Sequence, residues 1–393
     1  MKKIIFLSAL LITAISCSKS DNNDDDNGGG DGFNRKALLE NWVNNIVKPA
    51  FDSFDTKLAK LQNNQKTFVE TPTEANLEVL QASLFEAQKV WQHVAVLNFG
   101  KAEEINYRGF MNTYPVDFIT TANDSQEDDN TVDKNIEASD LPIADIDFTL
   151  NKRDNEQGFP TLDYLINGLG NTNTEILSFY TTNTLQQNYK DYLERVINRM
   201  VSLTDDMTTY WNTQHEKVIA NDGSSETASL DRMANDFINY IEKGFREPKV
   251  AIPSGKRNGV KKPESVESFY SPENSKALFL ESYKAIKNMY FGTAFTNGNE
   301  GEGIDDYLIF LDATAFDADA RETKNINDLI KERFSAIDAN VSGLNNNFVT
   351  QIETDNAEFL ETFNVIQQLV VLYKTNALSA LDIKVDFKDN DGD

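Results

Sequence analysis

Cysteine and histidine are nearly absent from this chain. Cys17 is its one cysteine, and His93 and His215 are its two histidines, among 393 residues. A single thiol excludes an intrachain disulfide, so the fold must rest on large apolar cores. Two histidines leave little from which to build a zinc site or a Ser–His triad. His215-Glu216-Lys217-Val218-Ile219 lacks the second histidine of a metalloprotease His-Glu-x-x-His helix. Bases are also scarce: 37 Lys and Arg stand against 63 Asp and Glu, a formal net charge of −26. That balance is the wrong electrostatic footprint for nucleic acid, and it leaves room for cation binding without requiring it. Mean hydropathy is −0.48, and beyond the N-terminus no apolar run is long enough to span a bilayer.

The N-terminus reads as targeting, not fold. Residues 1–16 form a signal peptide, with Lys2 and Lys3 as the basic region and Ile4–Ile12 as the apolar stretch. Ala14-Ile15-Ser16-Cys17 resembles a bacterial lipobox, so cleavage before Cys17 and lipidation of that residue are expected. Several acyl chains would give stable anchoring. Ser18–Gly32 is acidic and glycine-rich with nothing to bury, a tether between anchor and body. An acidic run after the lipidated cysteine resembles the surface-export signal of Bacteroidetes lipoproteins. The expected location is therefore the outer membrane, on its periplasmic or its surface face.

The body reads as all-α. Leu38, Leu39, Trp42, Ile46 and Val47 share one helical stripe, which Pro49 should interrupt, and Phe51, Phe54, Leu58 and Leu61 continue it. Thr73 is placed to cap a helix carrying Leu77, Leu80, Leu84, Ala87, Trp91 and Val94. His93 beside that stripe reads as a structural histidine. Residues 100–157 are less regular, and Ser125–Asn130 reads as an acidic exposed loop without EF-hand spacing. Leu185–Trp211 is a long amphipathic helix. Asn221–Ser225 is a turn cluster and the candidate junction between an N-terminal half, 34–220, and a C-terminal half, 221–393. Gly244–Pro263 reads as an irregular basic crossing that concentrates Arg246, Lys249, Lys256, Arg257, Lys261 and Lys262. Arg246 and Arg257 are candidates there for an anion or acidic-polymer contact. Lys276–Phe291, Lys324–Leu344 and Phe348–Leu381 complete the helices.

The centre of the chain is Gln157–Gly170, QGFPTLDYLINGLG. Gly158 and Pro160 suit a loop entering a first helical turn, and Leu162, Leu165 and Ile166 form its apolar face. One acid, Asp163, rides on this face. An echo follows downstream: Asp163-Tyr164-Leu165-Ile166 after Gly158 is matched by Asp306-Tyr307-Leu308-Ile309 after Gly303. Each lies beyond a helix ending in Phe-Gly, at Phe99-Gly100 and Phe291-Gly292. This suggests two four-helix-bundle-like halves related by internal duplication, and bundle interfaces are common ligand sites.

Gly158-Phe159-Pro160-Thr161-Leu162-Asp163 resembles the Gly-x-His-x-x-Glu signature of the imelysin family, with proline for the histidine and aspartate for the glutamate. Asn112-Thr113-Tyr114-Pro115-Val116-Asp117 is similar to that family's Asn-x-Tyr-Pro-x-Asp segment. Ser265-Val266-Glu267-Ser268-Phe269-Tyr270-Ser271 is similar to its Val-Glu-Ser-x-Tyr-Ser segment. Trp91 with Asn98-Phe99-Gly100, and the tail Asp389-Asn390-Asp391-Gly392-Asp393, agree. The resemblance implies two packed helical bundles, the signature helix near their interface, and a link to iron uptake. It also implies that Asp163, with Asp117, Glu267 and Asp306, stands where metal ligands are expected. An all-oxygen set of that kind would suit a hard cation such as calcium or iron. Pro160 cannot ligate, which argues against the metallopeptidase activity described for some relatives. The expected protein is a monomeric, lipid-anchored, non-enzymatic component of metal acquisition. The alternative is an envelope lipoprotein that binds polysaccharide or protein without metal.

Overall fold

The computed structural model describes residues 31–116, 118–119, 129–138, 142–317 and 320–385. The signal peptide, Cys17, most of the tether, Asp117, most of the Ser125–Asn130 loop and the acidic tail lie outside them. The described chain is helical, with two short hairpins. One pairs β1 (Phe118–Ile119) with β2 (Asp129–Asn130), the other β3 (Thr314–Asp317) with β4 (Glu322–Asn325), both antiparallel.

The N-terminal helices follow the apolar stripes. α1 (Arg35–Asn41) starts on Asn34, whose side chain accepts from Ala37 N at 3.1 Å. It runs through a wide turn, Trp42–Val47, into α2 (Lys48–Glu70). The wide turn accommodates Pro49, which has no N–H for the carbonyl four residues back. That carbonyl, of Asn45, accepts instead from Phe295 N at 2.9 Å, so the break becomes a tertiary contact. Thr73 caps α3 (Glu74–Val94) as its sequence position predicts, accepting from Asn76 N at 3.3 Å. α2 packs most extensively on α3 and on the long helix Gln186–Ala220. The short helices between these in sequence include α4 (Tyr107–Asn112), α5 (Gly158–Asp163) and α6 (Asn173–Thr181). The long helix is α7.

After the turn at Asn221–Ser225, α8 (Ser229–Asn239) continues through wide turns at Tyr240–Ala251 to Ser254. This corrects the expected irregular crossing at Gly244–Pro263. Its first half is helical, and wide-turn hydrogen bonding takes up Pro248 within the helix. α9 (Ser275–Tyr290) lies against α3 and links the two sets of helices. α10 (Ile304–Phe310), α11 (Ile326–Ser342), α12 (Phe348–Thr354) and α13 (Asn356–Leu372) follow, with α11 and α13 packed together. One apolar cluster runs through both sets, from Leu38 and Trp91 to Phe237, Phe334 and Ile366. His93 is structural, as expected: it is buried at the α3–α9 contact with Nε2 2.9 Å from Glu281 Oε2 and its ring edge-on to Phe295.

The β3–β4 hairpin is missing from the sequence reading. Its strands are four residues long, and β3 buries alternate residues, Ala315 and Asp317, so its apolar pattern carries no strand signal. Phe316 is 67% exposed, while Asp317 is buried and bridged to Lys324 at 2.9 Å.

Candidate functional site

Gly158 begins the site. Its φ is +77°, and a Cβ there would stand 2.4 Å from the Met111 carbonyl oxygen. Glycine alone lets the start of α5 lie against the end of α4. α5 then turns Asp163 inward, where it is 1% exposed. Its partners come from a loop more than a hundred residues away. Tyr270 N donates to Oδ2 at 3.0 Å, and Ser271 Oγ donates to Oδ1 at 2.6 Å. Asn167 Nδ2, one turn along, donates to Oδ1 at 2.9 Å. Burial pushes the Asp163 carboxyl up to about 6, against the pull of these donors toward the ionised form. The loop is itself pinned. Ser268 adopts φ +64° and shares a hydroxyl–hydroxyl bond with Ser271 at 2.7 Å, and the Tyr270 ring packs 5.1 Å from that of Tyr164.

Three residues before Tyr270, Glu267 anchors a second buried cluster. It forms an ion pair with Lys249 and accepts from Gln92 Nε2 at 3.0 Å and Asn112 Nδ2 at 2.7 Å. Lys249 also donates to Gln92 Oε1 at 3.0 Å, and burial lowers its ammonium from the ordinary lysine value. Ser282 donates to the same Gln92 oxygen at 3.1 Å, and its hydroxyl lies 2.5 Å from that of Tyr240. The Asn112–Val116, Gly158–Asp163 and Ser265–Ser271 segments therefore converge, the first and second on the third. A cleft of about 330 Å³ opens beside them, lined by Trp91, Gln92, Asn112, Tyr240, Lys243 and Lys249 among others. The space directly against Asp163, between Tyr114, Pro160 and Tyr270, is about 20 Å³ and holds little more than one water.

The candidate ligands among the described residues, Asp163, Glu267 and Asp306, do not share one cage. Asp306 caps its own helix, accepting from Gly303 N at 3.0 Å. The echo thus repeats in sequence while the two acids do different work. Asp117 lies outside the described residues. Among the described residues, no group of three or more His, Cys, Asp or Glu is arranged to hold a metal. The chemistry agrees with that geometry. Both Asp163 oxygens receive N–H or O–H donors, Glu267 faces an ammonium, and Pro160 offers no side-chain ligand. Among the described residues, Asp163, Glu267 and Asp306 do not fit a metal ion.

Arg246 and Arg257, expected as an anion contact, converge on one carboxylate. Arg246 is 0% exposed and donates through Nη2 to Glu247 Oε1 at 2.8 Å, and its guanidinium packs on Phe363. Arg257 Nε donates to Glu247 Oε2 at 3.1 Å. Burial of Arg246 removes it from any surface contact. Sequence reasoning missed the Lys249–Glu267 pair. Lys249 stands among the bases of Gly244–Pro263 in sequence, although Val250 and Ala251 beside it carry the apolar signal of a buried turn.

The profile of the Imelysin family matches residues 47–374. Iron-regulated protein A of Synechococcus elongatus is 28% identical over 79 residues, 20% of this chain and 22% of that protein, so the match spans about a fifth of this relative's length. Among solved structures, an iron-regulated protein A precursor from Parabacteroides distasonis superposes with a TM-score of 0.67 at 16% identity, covering 88% of this chain and 94% of that one. An imelysin-like protein from Psychrobacter arcticum gives 0.63 at 15% identity, covering 90% and 97%. These two structures share the helical fold, and the profile match across most of the sequence places the chain in the imelysin family.

Proposed function

We propose that this imelysin is a lipid-anchored, non-enzymatic component of iron acquisition at the cell envelope, acting by binding rather than by catalysis. The observation that carries this reading is the state of the signature acid. Asp163 uses both oxygens to fasten the Ser265–Ser271 loop onto α5, and among the described residues no group of three or more His, Cys, Asp or Glu forms a cage around it. A metallopeptidase needs a metal with an open position and a general base, and the residues at hand supply neither. Iron enters through the relatives, two of which carry the name iron-regulated protein A. The anchor rests on the Ala14–Cys17 lipobox and tether. Among the described residues no helix is long and apolar enough to cross a membrane, so attachment would fall to Cys17.

The test is deletion of the gene in its own bacterium. Growth should slow in iron-chelated medium and recover when iron is restored or the gene is returned. Unchanged growth under chelation would refute the iron role. Cys17→Ser should move the protein from the membrane to the soluble fraction, and its retention in the membrane would refute the anchor. Purified protein should leave unfolded polypeptide uncut with calcium, manganese or zinc added.

A further inference from the structure

Large apolar side chains stand in solvent at one corner of the C-terminal half. Ile309, Phe310 and Phe316 are 52%, 54% and 67% exposed, in a protein that buries most of its described phenylalanines. Ile309 and Phe310 close α10, and Phe316 follows on the outward face of β3. Helix and hairpin are fastened together. Ala313 N donates to the Leu308 carbonyl at 3.1 Å, and Ile326 N donates to the Ala313 carbonyl at 2.9 Å. Exposed apolar groups gathered in one place mark an interaction surface.

The chain enters the body at this same corner. Phe33 stacks on Tyr307 with ring centroids 4.0 Å apart and lies 5.5 Å from the Phe310 ring. The Tyr307 hydroxyl donates to Asp31 and accepts from Arg35 Nε at 3.0 Å. Arg35 in turn pairs with Asp231 at 2.8 Å and donates to the Leu381 carbonyl at 3.3 Å. Asp31 is thus pinned on α10. Cys17 lies fourteen residues before it, a length that reaches about 50 Å at full extension. The other end of the C-terminal half is distant. Asn356 Nδ2 donates to the Ser254 carbonyl at 3.0 Å, while Leu381 sits by Arg35. The helical run Asn356–Ala380 between them rises about 35 Å. The exposed bases Lys256, Arg257 and Lys261 belong to that far end, where Lys261 Nζ donates to the Ile352 carbonyl at 2.8 Å.

We propose that the α10–β3 corner docks on the phospholipid bilayer that holds the protein's own acyl chains, with Ile309, Phe310 and Phe316 entering the headgroup region. The proposal rests on the lipid anchor at Cys17. Docking by this corner leaves the fourteen-residue segment little distance to bridge. Docking by the far end would draw it out over most of its reach, and a chain held near full extension loses conformational freedom. The anchor also makes the contact intramolecular. Three side chains, too few to hold a free protein on a membrane, then suffice to orient an attached one. Charge narrows the choice of lipid. Asp305, Asp306 and Asp312 flank the apolar residues in the chain, which favours a zwitterionic bilayer over an anionic one. In this pose the far-end bases are turned away from the membrane.

The test is depth-dependent fluorescence on the chain matured in cells with its own N-terminus and reconstituted in phosphatidylcholine vesicles. Lipidation takes the sulfur of Cys17, the one natural cysteine, so an introduced thiol is the only one to label. Phe310→Cys, Phe316→Cys and Val260→Cys each receive the same polarity-sensitive dye, Val260 being 57% exposed at the far end. The dyes at 310 and 316 should shift to the blue and be quenched by nitroxide-bearing lipid, and the dye at 260 should do neither. Adding phosphatidylglycerol should weaken the quenching at 310 and 316, and salt should restore it. Ile309→Ser with Phe316→Ser should reduce quenching at 310, and unchanged melting would show that this variant folds. Equal emission and quenching at all three positions in vesicle-bound protein would overturn the docking and leave the anchor standing. Stronger quenching at 260 than at 310 and 316 would also overturn it. Protein that does not float with the vesicles would refute the anchor, and the docking with it.

Discussion

Replacing Asp163 by alanine should destabilise the protein by an amount that grows as the pH falls from 7 to 5. The side chain receives three hydrogen bonds in a fully buried site, from Tyr270 N, Ser271 Oγ and Asn167 Nδ2. Bonds to a charged acceptor are worth about 1.5–3 kcal/mol each, and stranding buried donors removes that gain. Against this stands the cost of ionising a buried acid. Raising the carboxyl from 3.8 to about 6 corresponds to about 3 kcal/mol at neutral pH. The net penalty for Asp163→Ala should be about 2–5 kcal/mol at pH 7. The sign of the pH term follows from linkage. The folded chain takes up this proton more readily than the unfolded chain. The associated stability is therefore complete below the unfolded value near 4 and is lost as the pH rises through about 6. The variant has no such term, so its penalty should be about 1.3 kcal/mol larger at pH 5 than at pH 7. Urea unfolding of both proteins at the two pH values reads this difference. A carboxylate gripped by a cation would have a lowered value, and its penalty would be flat between pH 7 and 5 and shrink in stronger acid. A flat or shrinking penalty would refute the metal-free latch.

Other expectations follow from the same region. Lys249→Met should cost about 3–5 kcal/mol by leaving Glu267 buried without its ammonium, and adding Glu267→Gln should restore part of it in the same unfolding assay. Gly158→Ala should cost about 2–4 kcal/mol, since it adds left-handed strain to a collision with the Met111 carbonyl. A midpoint shift at unchanged denaturant slope would show this, and an unmoved midpoint would mean that α5 can shift away from α4.

What the sequence made legible was whatever repeats locally. The stripes of α2, α3 and α7, the Thr73 cap and the helical class all rest on spacing within a few turns, and the structure places them accordingly. Proline and glycine misled where a wide turn absorbed them. Gly244 and Pro248 read as breakers, yet the helix runs through both, and Gly244 lies where a Cβ would meet the Tyr240 ring at 2.4 Å. The site was legible as a set of segments but not as chemistry. Asn112, Asp163 and Glu267 each fall in a segment that the sequence marks out, and the structure joins these segments. Their partners Tyr270, Ser271, Lys249 and Gln92 are set by tertiary packing, to which helical periodicity is blind. The echo shows the same limit. Asp163-Tyr164-Leu165-Ile166 and Asp306-Tyr307-Leu308-Ile309 are identical in residue, but Asp306 turns back to cap Gly303 while Asp163 reaches across to another loop.

The central claim is that the signature acid has become a structural latch and that this imelysin works by binding without a metal at that position. Melting of the metal-stripped mature chain, with and without calcium, manganese, zinc and oxygen-free ferrous iron, tests it directly. An ion bound at Asp163 and supplied at about a hundred times its dissociation constant would add about 2.7 kcal/mol, visible as a melting shift. No ion-selective shift that depends on Asp163 is expected. A shift with one ion that Asp163→Ala abolishes would contradict it.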